Sequence, residues 1–223
     1  MKISKKLIAI LRNFAMINQS IAFTEINALK ISSPEGNIIG IYELPEEDNF
    51  PNCAIWDLNE FLSVLSMFNL ERTEFVFEDK SMIIIEGKNK IRYYYTDLEL
   101  IKGIHRLKKV EDYKKFNKFD ASFILKDEDI KKIKKASNIM NLELLKIKIT
   151  TYGSSISLCS ELGNNKNSLD IILDETEGEA EINFDIQNIE LVEGDYKINI
   201  LNNRMGKFSN KNLDLFYIIG GKL

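Results

Sequence analysis

The sequence predicts an α+β fold made twice over: two similar domains, each packing two helices on antiparallel sheets. Three observations carry that expectation. Most of the chain consists of short β-branched or aromatic runs, often alternating, between turn signals. Four other segments repeat apolar residues at helical spacing. The order helix, strands, helix, strands occurs twice, with an offset of about 122–128 residues.

The first helix is expected over about 4–18. At 100° per residue Leu7, Ile8, Ile10, Leu11, Phe14 and Ala15 fall on one side, and Lys5, Ala9, Arg12, Asn13 and Met16 on the other. Strands follow at 21–31, 37–44 and 52–56, with a turn signal at Glu35-Gly36. A second helix is expected over 58–69, with Asp57 as N-cap and Glu60 at capping-box spacing. Leu58, Phe61, Leu62, Leu65 and Phe68 would face inward, Asn59, Ser63 and Ser66 outward. Strands at 73–78, 81–86 and 90–96 complete the first half, the last two joined by Gly87-Lys88-Asn89.

The basic stretch 99–117 has neither period and is read as a connector between domains 1–107 and 108–223. Beyond it come a strand at 119–125 and a helix at 127–140, with Ile130, Ile133, Ala136 and Met140 inward and Lys131, Lys135 and Asn138 outward. Strands are expected at 144–151, 154–160, 168–174, 180–184, 196–202 and 213–219, with Gly163-Asn164-Asn165 as a turn. A short helix is expected at about 186–192, capped by Asp185 and ended by Gly194. The halves align at two places: Ile8-x-x-Leu11-Arg12 with Ile130-x-x-Ile133-Lys134, and Ile55-Trp56-Asp57-Leu58 with Asn183-Phe184-Asp185-Ile186.

Composition narrows the function. The chain has 223 residues, 44% hydrophobic and 29% charged, enough for one large domain or two of about 110. No run approaches the roughly 18 apolar residues of a membrane span. The basic start could imitate a signal peptide, but Arg12 and Asn13 break its apolar run, so it is read as a helix and the protein as cytoplasmic. Cys53 and Cys159 lie far apart and are read as buried free thiols, without zinc-ligand spacing. The one histidine, His105, stands beside Arg106. This inventory argues against His/Cys or His/Ser catalysis, and no metal or cofactor is expected. Acids are plentiful, so a carboxylate-based nuclease stays open, though no tight acidic motif supports it.

Charge is segregated. The net charge is −4, yet residues 102–118 hold seven Lys or Arg against Glu111 and Asp112, and residues 168–195 hold ten acids and no Lys or Arg. Lys2, Lys5, Lys6 and Arg12 make the first twenty residues basic. The outward helix faces carry Lys5, Arg12, Lys131, Lys132, Lys134 and Lys135 among small neutral groups, with Glu60 and Glu190 as the acids. No aromatic stacking platform or base-reading pattern interleaves them. Such a surface suits sequence-blind contact with duplex phosphates, with dissociation constants on the order of 10⁻⁴–10⁻⁶ M. So loose a grip persists only if topology holds the chain, which copies closed into a ring would supply. The other open reading is a non-enzymatic, β-rich structural or protein-interaction module whose basic helices are merely solvated.

A resemblance bears on the choice. MKISKKLIAILRNFAMIN is similar to the opening of the T-even-type phage sliding clamps, a Met-Lys-aliphatic-Ser-Lys helix ending in Asn-Phe-Ala-x-Ile-Asn. AIWDLNEFLSVLSMFN, residues 54–69, resembles that family's strand-to-helix segment, and INFDIQNIELVEGDYKIN, residues 182–199, its Phe-Asn-Phe segment and following turn. The resemblance implies the processivity-clamp fold, two domains per chain in a head-to-tail homotrimeric ring around double-stranded DNA. It also implies an ATP-dependent clamp loader, a tethered C-terminal peptide of the DNA polymerase, late-transcription partners in some relatives, and the cytoplasm of an infected bacterial host. Lys5 and Arg12 carry over as lining residues. A partner-peptide pocket beside the connector and last strand would be formed by Ile101, Ile104, Leu107, Tyr217 and Ile219.

Overall fold

Ser4 begins the first helix: its hydroxyl accepts from the Leu7 N–H at 3.0 Å and donates to the buried Asp48 carboxylate at 2.7 Å. The structure, a computed structural model, describes residues 3–25, 27–45, 48, 50–161 and 166–222. Lys2 and the turn expected at 163–165 lie outside them. The chain divides into two compact units, Met1–Tyr113 and Lys114–Leu223.

In the first unit α1 spans Lys5–Ile17. Its apolar face lies on the antiparallel strands β1 (Ile21–Glu25), β2 (Ala28–Ser32), β3 (Ile38–Glu43) and β4 (Cys53–Ile55), ordered β3-β2-β1-β4. Asn13, expected outward, is buried, because the buried arc runs on to Ile17, about 40° around the helix from it. The single strand expected at 21–31 is a hairpin: Glu25 pairs with Ala28 across a turn at Asn27. Thr24, Glu25 and Asn27 do interrupt the run, but it holds no Gly or Pro and resumes at once in buried residues, so it reads as one strand.

The second helix, α2, spans Leu58–Ser66, and the Asp57 carboxylate accepts from the Glu60 N–H at 2.9 Å as the cap. It stops short of residue 69 because Met67 and Phe68 bond back three residues, to Val64 and Leu65. Strands β5 (Glu74–Phe77), β6 (Ser81–Glu86) and β7 (Asn89–Tyr94) form a separate antiparallel sheet in that order. Two 3-10 turns, Leu98–Leu100 and Ile104–Arg106, and the short α3, Val110–Lys114, occupy the stretch read as periodless.

The second unit opens with β8 (Ala121–Leu125) and α4 (Asp127–Met140), both close to their expected bounds. Then come β9 (Leu144–Thr150), β10 (Gly153–Cys159), β11 (Leu169–Ile172), β12 (Thr176–Gly178), β13 (Ala180–Asp185), β14 (Tyr196–Leu201), β15 (Met205–Asn210) and β16 (Leu215–Gly220). They make two antiparallel groups, β12-β8-β14-β15-β16 and β11-β10-β9-β13. The aromatic pairs Phe184–Phe208 and Tyr196–Tyr217 lie in the core of this unit. β12 and β15 were not expected. One is the three-residue edge Thr-Glu-Gly, too short to show a period; the other, Met-Gly-Lys-Phe-Ser-Asn, holds poor strand formers that its two neighbours force into register.

The helix expected at 186–192 is one 3-10 turn, Ile186–Asn188. Asp185 does cap it, accepting from the Gln187 N–H at 3.1 Å. The coil ends at Ile189 because Ile189 and Leu191 are both buried, a spacing of two that no helix presents to one side. The second unit therefore carries one long helix beside a pinned loop.

Candidate nucleic-acid interface

The basic residues singled out by period lie on two helices, one in each unit. On α1, Lys5, Lys6 and Arg12 are exposed. The Lys5 ammonium bridges to the equally exposed Glu71 at 2.8 Å, a pair of small energetic weight. Among the described residues no carboxylate bridges Arg12 or Lys6. On α2 the exposed Ser63 and Ser66 turn their hydroxyls onto the carbonyls of Asn59 and Ser63, at 2.8 and 2.7 Å, and Glu60 is the one exposed charge of this helix.

On α4 the four lysines differ. Lys131 bridges to Asp127 at 2.7 Å and Glu193 at 3.2 Å. Lys132 bridges to Asp129 at 3.2 Å and Lys134 to Glu190 at 3.1 Å. Lys135 is exposed, with no bridge among the described residues. The expectation that these faces hold few acids is corrected here: Asp127, Glu128 and Asp129 fill the first turn of α4, where the helix dipole favours them. The Lys131 ammonium holds the Asp127 carboxyl below the usual range, helped by the Gly194 N–H. Asp127, Asp129 and Glu193 were missed as elements of this surface. The run 127–129 was visible beside the lysines, whereas the reach of Glu193 was not.

The residues expected to form a peptide pocket are not laid open. Ile101 is buried against Ala22 and Ala54, with Ile104 packed beside it. The crevice that these residues share with Leu107 holds about 10 Å³, room for about one water. Tyr217 and Ile219, in the second unit, are both 0% exposed, so they are core residues of β16 and offer a peptide nothing to touch. Alternation placed them on a strand but could not say which face was covered.

Two further surfaces stand out. In the first unit Trp56 and Tyr94, 52% and 70% exposed, border a shallow groove of about 400 Å³ with Asp57, Glu60, Arg92 and Tyr93. Strand β7 forms its rim and, among the described residues, pairs with one strand, β6; Lys90 and Arg92 along it and Lys88 in the turn before it are exposed. In the second unit, among the described residues, β11 pairs only with β10. It exposes Asp170 and Ile172, the latter at 80%, with Asp174 and Glu175 just beyond. Among the described residues no three His, Cys, Asp or Glu side chains are placed to hold a metal ion, and no helix is long and apolar enough to cross a membrane.

Comparison with known proteins adds to this geometry. The family described as "gp45 sliding clamp, C terminal" matches residues 122–221. The chain is 27% identical to a protein named sliding clamp from Vibrio phage KVP40, over 97% of each chain. It is 28% identical to the sliding clamp of Escherichia phage RB69, over 89% of this chain and 86% of the other. In fold it is similar to A. fulgidus PCNA, solved with the C-terminal region of FEN-1 bound, at a TM-score of 0.72 and 15% identity. That alignment covers 98% of this chain and 95% of the other.

Proposed function

We propose, from the premise that this chain belongs to the phage sliding-clamp family, that it works as a DNA polymerase processivity factor that encircles duplex DNA. The observation that carries this reading is the likeness along nearly the whole chain both to phage clamps in sequence and to PCNA in fold. The protein's role in this reading is mechanical rather than catalytic. Arg12, Lys6 and Lys135 meet phosphates without reading bases, and the sparsely charged α2 face lets the duplex pass. Affinity for DNA is then weak and salt-dependent, and retention comes from closure of the ring.

Three copies close the ring head to tail in this reading. The open, basic β7 of one copy receives the open, acidic β11 of the next, which continues a sheet across the boundary. Lys88 and Lys90 face Asp170, Asp174 and Glu175, and Ile172 covers the groove beside Trp56 and Tyr94. An ATP-dependent loader opens one such joint. The polymerase is tethered by its C-terminal peptide, and late-transcription proteins are further partners. The setting is the cytoplasm of an infected bacterium. The test is loading onto nicked circular DNA: the clamp stays on the circle, is lost when the circle is linearised, and stimulates its polymerase on long templates. A chain that stays monomeric at tens of micromolar and shows no loader-dependent retention would sink the reading.

A further inference from the structure

The loop beside α4, residues 189–195, is held at many points. Ile189 and Leu191 are buried. The Tyr196 hydroxyl donates to the Val192 carbonyl at 2.7 Å, and the Val192 N–H donates to the Tyr217 hydroxyl at 3.4 Å. The Gly194 N–H donates to the Asp127 carboxylate at 2.9 Å, and the Asp127 N–H donates to the Asp195 carboxylate at 2.9 Å. Gly194 has φ 137°, and a Cβ there would lie 2.8 Å from the Asn210 amide nitrogen, so no side chain fits without displacing it. This loop carries Glu190, which holds Lys134 at 3.1 Å, and Glu193, which at 3.2 Å shares Lys131 with Asp127 at 2.7 Å. The fixed backbone places both carboxylates beside the lysine row, and the half-buried Glu190 is the firmer partner, Glu193 being largely exposed.

We propose that Glu190 and Glu193 are resident counter-ions of the duplex grip, holding Lys134 and Lys131 back from phosphate and leaving Lys135 as the main contact on α4. The proposal rests on the reading that α4 faces duplex DNA. Binding to phosphate gains from releasing condensed counterions, about 0.9 in the slope of log K against log salt for each phosphate neutralised. A lysine whose charge is already balanced by a protein carboxylate must break that bond first and contributes less. The lysine row therefore reads as strongly basic in sequence but acts on DNA as a weak one. That suits a protein that must stay on duplex DNA and still travel along it, because each phosphate held firmly is a contact to be broken at every step.

The test uses the full chain on duplex DNA of fixed length, with affinity measured by fluorescence anisotropy between 50 and 200 mM salt. Glu190→Gln with Glu193→Gln is expected to tighten binding severalfold at 50 mM and to steepen the salt slope by up to about 0.9, the share of Lys134, because Asp127 still holds Lys131 at 2.7 Å. In the parent, Lys135→Gln weakens binding more than Lys134→Gln; in the double-glutamine background the two losses become equal. Glu74→Gln with Glu99→Gln, two exposed carboxylates of the first unit, removes the same charge and is expected to leave the slope unchanged. Unchanged affinity and slope in the Glu190/Glu193 variant overturn the proposal while the parent still binds. An equal gain from the Glu74/Glu99 variant overturns it too, since net charge then suffices. A parent with no measurable duplex binding sinks the clamp reading itself.

Discussion

The ammonium of Lys30, buried on β2, donates to the backbone carbonyl of Lys108 at 2.9 Å, joining a strand to the connector 78 positions away. The same ammonium pairs with Glu25 at 2.6 Å. A buried charge with two partners holds firmly, and removing it leaves both partners short. Lys30→Met is expected to destabilise the first unit by about 3 kcal/mol, at the low end for a broken buried pair because Glu25 reaches solvent. Urea unfolding measures the loss, and amide exchange over residues 98–110 should quicken.

Asn18 ties the same region from the other side. Its amide donates to the carbonyls of Ser32 at 2.8 Å and Lys102 at 3.2 Å, while its oxygen accepts from the Ser20 N–H at 3.1 Å. Asn18→Leu strands those groups in a buried site, at a cost of about 2 kcal/mol. Denaturation midpoints compared with Asn18→Ala, which loses the same bonds without adding bulk, would separate lost bonds from altered shape.

The cap of α2 gives a pH signature. The Glu60 N–H, and then the Gln19 amide, hold the Asp57 carboxyl below its ordinary 3.8. A depressed carboxyl contributes its stability above the ordinary value and loses it as pH falls through the lower folded one. Asp57→Ala is therefore expected to cost about 1 kcal/mol near neutrality. The difference from the parent should shrink in strong acid, as thermal melts over a pH series would record.

Trp56 is the one tryptophan of the chain and is 52% exposed beside the open edge of β7. If ring closure covers that edge, its emission shifts to the blue as concentration rises through assembly. Ile172→Asp should abolish the shift and the oligomer together, with each unit still folded by circular dichroism. A blue shift without a change in sedimentation would assign the effect to something other than assembly.

The helices and most strands were legible because local pattern and final burial agree. Asp127–Met140 has a helical stripe and an acidic first turn, and both survive in the fold. β15 was illegible because Gly206, Ser209 and Asn210 are strand residues only by virtue of the strands on either side. At the site, exposure of Arg12 and Lys135 followed from period alone. The Lys134–Glu190 pair did not, since it joins residues 56 positions apart through the path of a loop. Ile101 and Tyr217 show the same limit in apolar form: a hydrophobic residue near a connector or on a last strand reads equally as pocket or core.

Cys53 on β4 is 4% exposed, and burial pushes its thiol up to about 12. At neutral pH it is neither ionised nor reachable, so an alkylating reagent meets it only when the strand comes away from its sheet. Pulse alkylation at this position is thus a clock for local opening of the first unit. Under the proposed ring reading, the same pulse with and without a clamp loader would tell whether opening a joint also loosens the domain beside it.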